Sequence, residues 1–131
     1  MWLFTKYGFY SVVADYEVPE NVLIRARARE DLENLKALME RFYPGSILAS
    51  APIYESMYSD YRYRVFCPKT DFEAVANLLA RDVDYNNFKG EIHKAGDTGR
   101  DMAYTSVWSI MRDWQQRKVT YKTGKKWTSQ T

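Results

Sequence analysis

The chain has 131 residues, of which 46% are apolar and 27% charged, and its formal net charge is +2. This length and composition fit a single folded domain and exclude a disordered or fibrous chain. Cys67 is the only cysteine, which excludes an intramolecular disulfide and favours a reducing compartment, so we expect a cytoplasmic protein. No apolar run reaches the roughly 18 residues of a membrane span, and the N-terminus lacks the plan of a signal peptide.

The first part of the sequence predicts three strands. Residues 2–4 and 9–14 are rich in aromatic and β-branched side chains and are separated by a turn that contains Gly8. After a loop over 15–21, residues 22–28 alternate between apolar and other side chains, so one face of this strand is apolar and the other carries arginines. The second and third strands should pair as an antiparallel hairpin.

Helical spacing of apolar residues begins after this strand. A helix is predicted over 29–43, ended by Pro44 and Gly45, followed by a weaker strand over 46–53 with Pro52 near its end. Thr70 and Glu73 match a capping box that would open a second helix over 70–83. Asparagines and glycines punctuate residues 84–99, within which residues 88–93 fit either a helical turn or a short strand. A third helix is predicted over 100–118.

A further strand is predicted over 61–67, before the second helix. Its alternation places one set of side chains on the core face, namely Tyr61, Tyr63, Val65 and Cys67. The opposite face receives Arg62, Arg64 and Phe66. Because Cys67 lies on the core face, we expect a buried, inert thiol.

The order of these elements predicts an α+β fold, a variant of the ferredoxin-like two-layer sandwich. It has an N-terminal hairpin strand, then strand, helix, strand, strand and helix, and a C-terminal helix follows. The strands over 22–28 and 61–67 would be antiparallel neighbours at the centre of the sheet, with the N-terminal hairpin strand at the edge beside them. Residues 1–118 would form one domain and residues 119–131 a basic, flexible tail.

The basic sides of the two central strands form the main candidate site. Four arginines would emerge together on the sheet face that the first two helices leave open: Arg25, Arg27, Arg62 and Arg64. Adjacent like charges are destabilising unless they are compensated. They predict an anionic partner, either nucleic acid or an acidic protein surface, or else pairing with carboxylates of this chain or of a dimer mate. For nucleic acid, the sequence places only Phe66 among them as a stacking residue.

Two C-terminal segments are further candidates. The tail interleaves cations with aromatic residues, a pattern typical of nucleic-acid contacts and of solubilising tails alike; its candidate residues are Lys122, Lys125, Lys126 and Trp127. The third helix carries a stripe that either packs on the domain or forms a homodimer interface, made of Tyr104, Val107, Trp108, Met111 and Trp114.

Catalytic signals are few. His93 lies two residues from Glu91, an acid and base pair on an extended segment, although a single histidine in a loop is more often incidental. Asp15 and Glu17 would hold Mg²⁺ in a small nuclease, but no convergent third acid is identifiable. No cofactor motif is present, and we expect no cofactor. The sequence favours a non-enzymatic binding module, with a self-associating adaptor or a metal-dependent nuclease as alternatives.

Several segments together resemble a family of small uncharacterised bacterial and phage proteins. They begin with Met-Trp-Leu-Phe-Thr-Lys at 1–6 and Gly-Phe-Tyr-Ser-Val-Val at 8–13, and they continue at 22–30, 84–89 and 107–111. The resemblance spans nearly the whole chain up to the basic tail. It implies a bacterial or phage intracellular protein and supplies no catalytic residues.

Overall fold

The protein has a mixed α+β fold, as predicted. The computed structural model describes residues 1–122, with side-chain surroundings described to residue 118. The strands are β1 (Trp2–Phe4), β2 (Phe9–Ala14), β3 (Asn21–Ala26), β4 (Tyr54–Glu55) and β5 (Tyr63–Pro68). The helices are α1 (Arg29–Phe42), α2 (Ile47–Ser50), α3 (Lys69–Arg81), α4 (Phe88–Lys94) and α5 (Thr98–Lys122). They form two compact units, Met1–Tyr85 and a second that begins at Asn86.

The five strands form one antiparallel sheet in the order β1-β2-β3-β5-β4. The predicted hairpin of β2 and β3 is present, with Val12 opposite Ile24. The two strands with alternating arginines, β3 and β5, are central neighbours as expected. β1 adds a short edge strand outside β2, and the other edge is the two-residue β4.

The hydrophobic core lies between one face of this sheet and helices α1 and α3. Ile24 of β3 and Val65 of β5 are fully buried there against Leu35 of α1 and Val75 of α3. Cys67 belongs to the same core, and burial, with a smaller contribution from Asp71, raises the pKa of its thiol to about 12. The prediction of a buried thiol is therefore confirmed.

The strand predicted over 46–53 is wrong. Residues Ile47–Ser50 form the short helix α2, which Ser46 caps by accepting a hydrogen bond from the Ala49 backbone N–H at 3.2 Å. A short apolar run fits a buried helical turn as well as a strand, and Leu48 is the residue that this turn buries. Only β4, further along the chain, pairs with β5 on this side.

The capping box predicted at Thr70 and Glu73 is also absent. Helix α3 begins one residue earlier, at Lys69 after Pro68, and no side chain caps it. Asp71, in the first turn, instead accepts a hydrogen bond from the backbone N–H of Leu48 at 2.9 Å. This carboxylate therefore ties α2 to α3, a contact between elements that local spacing does not predict.

A buried carboxylate joins the β1–β2 turn to helix α1. Asp31, in the first turn of α1, accepts a hydrogen bond from the Phe9 backbone N–H at 3.0 Å, and its carbonyl accepts one from the Tyr10 hydroxyl at 2.7 Å. Gly8 lies so close that a Cβ added there would be 2.8 Å from Asp31 Oδ2 and closer still to its carboxyl carbon. The glycine is therefore required by this close approach.

The second unit contains α4 and α5. Asn87 caps α4 by accepting a hydrogen bond from the Gly90 backbone N–H at 3.1 Å, so residues 88–94 are helical and not a strand. Phe88 stacks on Tyr104 of α5, with ring centroids 5.8 Å apart. Helix α5 continues to Lys122, past the predicted end at residue 118. No described helix is long and apolar enough to cross a membrane.

Candidate nucleic-acid interface

A row of five side chains crosses the sheet on the face opposite the core, which we call the arginine face. In the strand register each residue is directly opposite the next: Trp2, Ser11, Arg25, Arg64 and Tyr54. Directly opposed residues of antiparallel strands point to the same face. With neighbouring strands about 4.8 Å apart, the row is roughly 19 Å long.

Two arginines lie directly opposite one another at the centre of this row. Arg25 Nη2 donates to Ser11 Oγ at 2.7 Å, and Arg64 Nη2 donates to Ser59 Oγ at 2.7 Å and to the Tyr61 carbonyl at 3.3 Å. All of these acceptors are uncharged. The Nε atoms of Arg25 and Arg64 are buried and have no hydrogen-bond partner among the described residues. The pair therefore retains two positive charges that no carboxylate of the described residues compensates, while its two unpaired Nε–H groups are closed off from solvent.

The ring of Tyr61 lies against Arg25 and Arg27 and reduces the repulsion between these two side chains. It is buried, with its centroid 4.6 Å from the Arg25 guanidinium carbon and 4.3 Å from that of Arg27. The negative face of an aromatic ring attracts such cations. The prediction that Tyr61 shares the core face with Val65 is wrong, because β5 begins only at Tyr63 and the alternation does not extend to the residues before it.

The other two predicted arginines have different surroundings. Arg27 is exposed and donates from Nη1 to the Asp60 carbonyl at 2.7 Å. Arg62 forms a salt bridge, with its Nε 2.7 Å from Glu55 Oε1, and this hydrogen bond raises the pKa of Arg62. Among the four arginines, only Arg62 has a carboxylate partner in the described part of the chain. The structure thus brings three of them together around Tyr61 and pairs the fourth separately.

Aromatic side chains flank the arginines, and the sequence prediction missed most of them. Trp2 is 67% exposed at one end of the row, and Tyr54 is half exposed at the other. Phe66, two residues from Arg64 on the same strand, lies 5.9 Å from Tyr54 between ring centroids. The ring centroid of Phe9 lies 5.9 Å from that of Trp2 and 6.3 Å from that of Tyr61, so Phe9 connects these two rings. The alternation of β1 and β2 would have found Trp2 and Phe9 once their strands were placed beside β3.

The candidate catalytic pair is not formed. Residues 88–94 are helical rather than extended, so side chains two positions apart do not face each other. His93 Nδ1 lies 2.9 Å from Asp101 Oδ2, and Glu91 pairs with Lys94 at 3.4 Å. Both interactions are on the surface of the second unit.

The candidate metal ligands have a turn-forming arrangement. Asp15 Oδ1 accepts hydrogen bonds from the backbone N–H groups of Glu17 at 3.0 Å and Val18 at 3.3 Å. The side chain of Asp15 therefore stabilises the β2–β3 turn. In the chain as described, no three histidine, cysteine or acidic side chains are grouped so as to hold a metal ion.

The remaining candidates lie at the C-terminal end. On α5, Tyr104 is buried and Val107 is partly buried, while Trp108, Met111 and Trp114 are each about half exposed. Lys122 is the last residue of α5. The predicted tail contacts at Lys125, Lys126 and Trp127 lie outside the described residues.

Comparison with known proteins identifies no relative of this chain. No family model, no curated protein and no solved structure matches the chain. The function of the protein is therefore inferred from the geometry of the arginine face.

Proposed function

We propose that this protein is a non-enzymatic binding module that holds a single-stranded nucleic acid on the arginine face. The observation that carries the proposal is the opposed pair Arg25 and Arg64, whose hydrogen bonds go to neutral oxygens and whose charges have no carboxylate partner among the described residues. A phosphate supplies negative charge and acceptor oxygens that suit the planar fork of a guanidinium.

The exposed aromatic residues favour nucleic acid over an acidic protein surface. Trp2 and Tyr54 lie at the two ends of the row, on either side of the arginines. Unpaired bases stack on such rings, whatever their sequence, while their phosphates meet the cations. An acidic peptide would use the charges but would gain little from Trp2.

We also propose that the sheet is a ferredoxin-like variant. From β3 onward the order is β3, α1, β4, β5 and α3, apart from the inserted turn of α2, and β2 occupies the position of the usual last strand. In RNA-binding domains with a four-stranded sheet, the face away from the helices stacks bases on aromatic residues. The glycine-and-aromatic motif of those domains is absent here, so we expect weak sequence preference.

Binding should be measured by fluorescence anisotropy with labelled RNA, single-stranded DNA and duplex DNA of about 12 nucleotides, within the range of single-strand site sizes. We expect both single strands to bind more tightly than the duplex, and affinity to fall as salt is raised. Absence of binding at low salt would overturn the proposal. Tighter binding of an acidic peptide than of either single strand would assign the face to an acidic protein instead.

Arginine variants test the role of the opposed pair. Each phosphate contact contributes about 0.7 to the slope of log affinity against log salt for single strands. The double variant Arg25→Gln/Arg64→Gln should therefore reduce that slope by about 1.4. Arg81→Gln is the matched control, because Arg81 is an exposed arginine in the last turn of α3. An unchanged slope in the double variant, or an equal reduction in the control, would contradict the proposal.

Aromatic variants test stacking separately from charge. Trp2→Ala should weaken binding at every salt concentration by about fivefold or more, since stacking contributes about 1–3 kcal/mol per base, and should leave the slope unchanged. Tyr16→Ala, at an almost fully exposed aromatic in the β2–β3 turn, is the control. Equal effects of the two variants would remove Trp2 from the binding surface.

A further inference from the structure

Helix α5 carries a repeat of apolar residues that is not part of the arginine face. Its apolar positions recur at alternating intervals of three and four residues, at Tyr104, Val107, Met111 and Trp114, with Lys118 next in the series. This spacing, about 3.5 residues on average, is that of the a and d positions of a coiled coil. Trp108 and Ile110 flank the seam, and polar residues occupy the opposite side at Ser106, Ser109, Asp113 and Gln116.

The C-terminal part of this seam is open among the described residues of the second unit. Tyr104 is buried against Phe88, so the open part begins beyond it. The exposed fractions are 46% for Trp108, 63% for Ile110, 53% for Met111 and 47% for Trp114. Lys118 lies 5.3 Å from the ring centroid of Trp114 and Lys89 lies 3.7 Å from that of Trp108, which leaves both rings about half exposed. Contiguous apolar exposure of this kind marks an interaction site.

The spacing and the charges together identify the partner. A 3.5-residue repeat fits another helix with the same repeat, and a second copy of α5 supplies one. Residues 112–118 contain Arg112, Asp113, Arg117 and Lys118 and are net basic, whereas residues 107–113 have no net charge because Arg112 and Asp113 cancel. Parallel pairing would place the two basic segments together. Antiparallel pairing about Met111 and Trp114 instead places each basic segment beside the neutral segment 107–113 of the other copy, and it also opposes the helix dipoles favourably.

We propose that two copies of this protein associate through α5 in antiparallel orientation, with Met111 of one copy opposite Trp114 of the other. A half-exposed tryptophan leaves roughly 100 Å² to bury. The four open side chains together leave roughly 400 Å² per copy, so the pair buries roughly 800 Å² in total. That area is below the roughly 1,200–2,000 Å² of a stable interface, so we expect a weak, reversible dimer.

Sedimentation velocity of the full chain over a concentration series tests the association. We expect dimer to appear as the concentration is raised from about 1 to about 200 μM, a range that brackets a micromolar constant. Met111→Glu should weaken association at least about tenfold, because it places two carboxylates in the seam. Met102→Glu is the matched control, since Met102 is an exposed methionine on the polar side of the same helix.

A monomer throughout this range, or equal weakening by the two methionine variants, would overturn the proposal. Ile110→Glu is a second seam variant, and circular dichroism must show wild-type helix content in each variant. Orientation is tested by disulfide exchange between Met111→Cys and Trp114→Cys proteins. Antiparallel pairing predicts the mixed 111–114 disulfide, whereas a dominant 111–111 disulfide would show parallel pairing and refute the proposed orientation.

Discussion

Replacing Asp31 by alanine tests whether the buried carboxylate holds the β1–β2 turn against helix α1. The substitution removes the acceptor of the Phe9 N–H, which lies 3.0 Å from Asp31 Oδ2, and leaves the Asp31 carbonyl that accepts from Tyr10. It also removes an acidic side chain from the first turn of α1. Asp31 is 3% exposed, so water cannot readily replace the lost acceptor.

The expected loss of stability follows from these two changes. A buried N–H left without a partner costs about 1–3 kcal/mol. An acidic residue at a helix N-terminus contributes about 0.3–1 kcal/mol through the helix dipole. We therefore expect Asp31→Ala to lower the free energy of unfolding by about 1–4 kcal/mol, a large part of the roughly 5–15 kcal/mol that stabilises a typical domain. Asp31→Asn retains an acceptor oxygen and should cost less.

Urea unfolding followed by circular dichroism measures this change, and an unchanged m-value shows that the midpoint shift reports stability. Glu33→Ala is the control, because Glu33 is an exposed acid on the same helix that pairs with Arg29 at 3.1 Å. Such a surface pair contributes at most about 0.5 kcal/mol. If Asp31→Ala is no more destabilising than Glu33→Ala, the inferred role of Asp31 is wrong.

Two further predictions concern groups with raised pKa values. Because burial raises the pKa of the Cys67 thiol to about 12, iodoacetamide at pH 8 should modify this thiol only after unfolding. Mass spectrometry of native and urea-treated protein measures the labelled fraction in each state. Rapid labelling of the native protein would contradict the burial of Cys67. Burial and the hydrogen bond to Asp82 raise the pKa of Tyr7 from 10.0 to about 12. The folded state therefore keeps the proton more tightly than the unfolded state, and the resulting stability is complete below pH 10 and is lost between about pH 10 and 12. Tyr7→Phe should lose less stability than wild type across that window in urea titrations, whereas Tyr16→Phe should behave like wild type; identical curves for both variants would contradict the Tyr7 assignment.

The parts of the fold that follow from local pattern were predictable. The alternation of 22–28 predicted both the strand and its buried side, because a strand buried on one face must place every second side chain in the core. The same reasoning identified β5, and the order of the elements predicted its place beside β3. Helix α1 followed from its apolar spacing and from Pro44 after it.

The misses arise where a contact between distant segments decides the outcome. Tyr61 lies outside β5, and its position depends on Arg25 of β3 and on Arg27 just after that strand, contacts that no local periodicity encodes. Asp71 bonds to the backbone of α2 rather than serving a local cap. The aromatic part of the candidate site was missed for the same reason, since Trp2 joins the arginines only through the strand order.

The shortness of β4 affects how the sheet meets other molecules. Only Tyr63 and Arg64 of β5 pair with it. An edge strand of two residues offers few free backbone groups to which a further strand could bond. The opposite edge, β1, is three residues long, too short to template extended pairing. Strand addition is thereby disfavoured at both ends of the sheet, which protects a chain rich in β-forming aromatic residues from edge-to-edge aggregation.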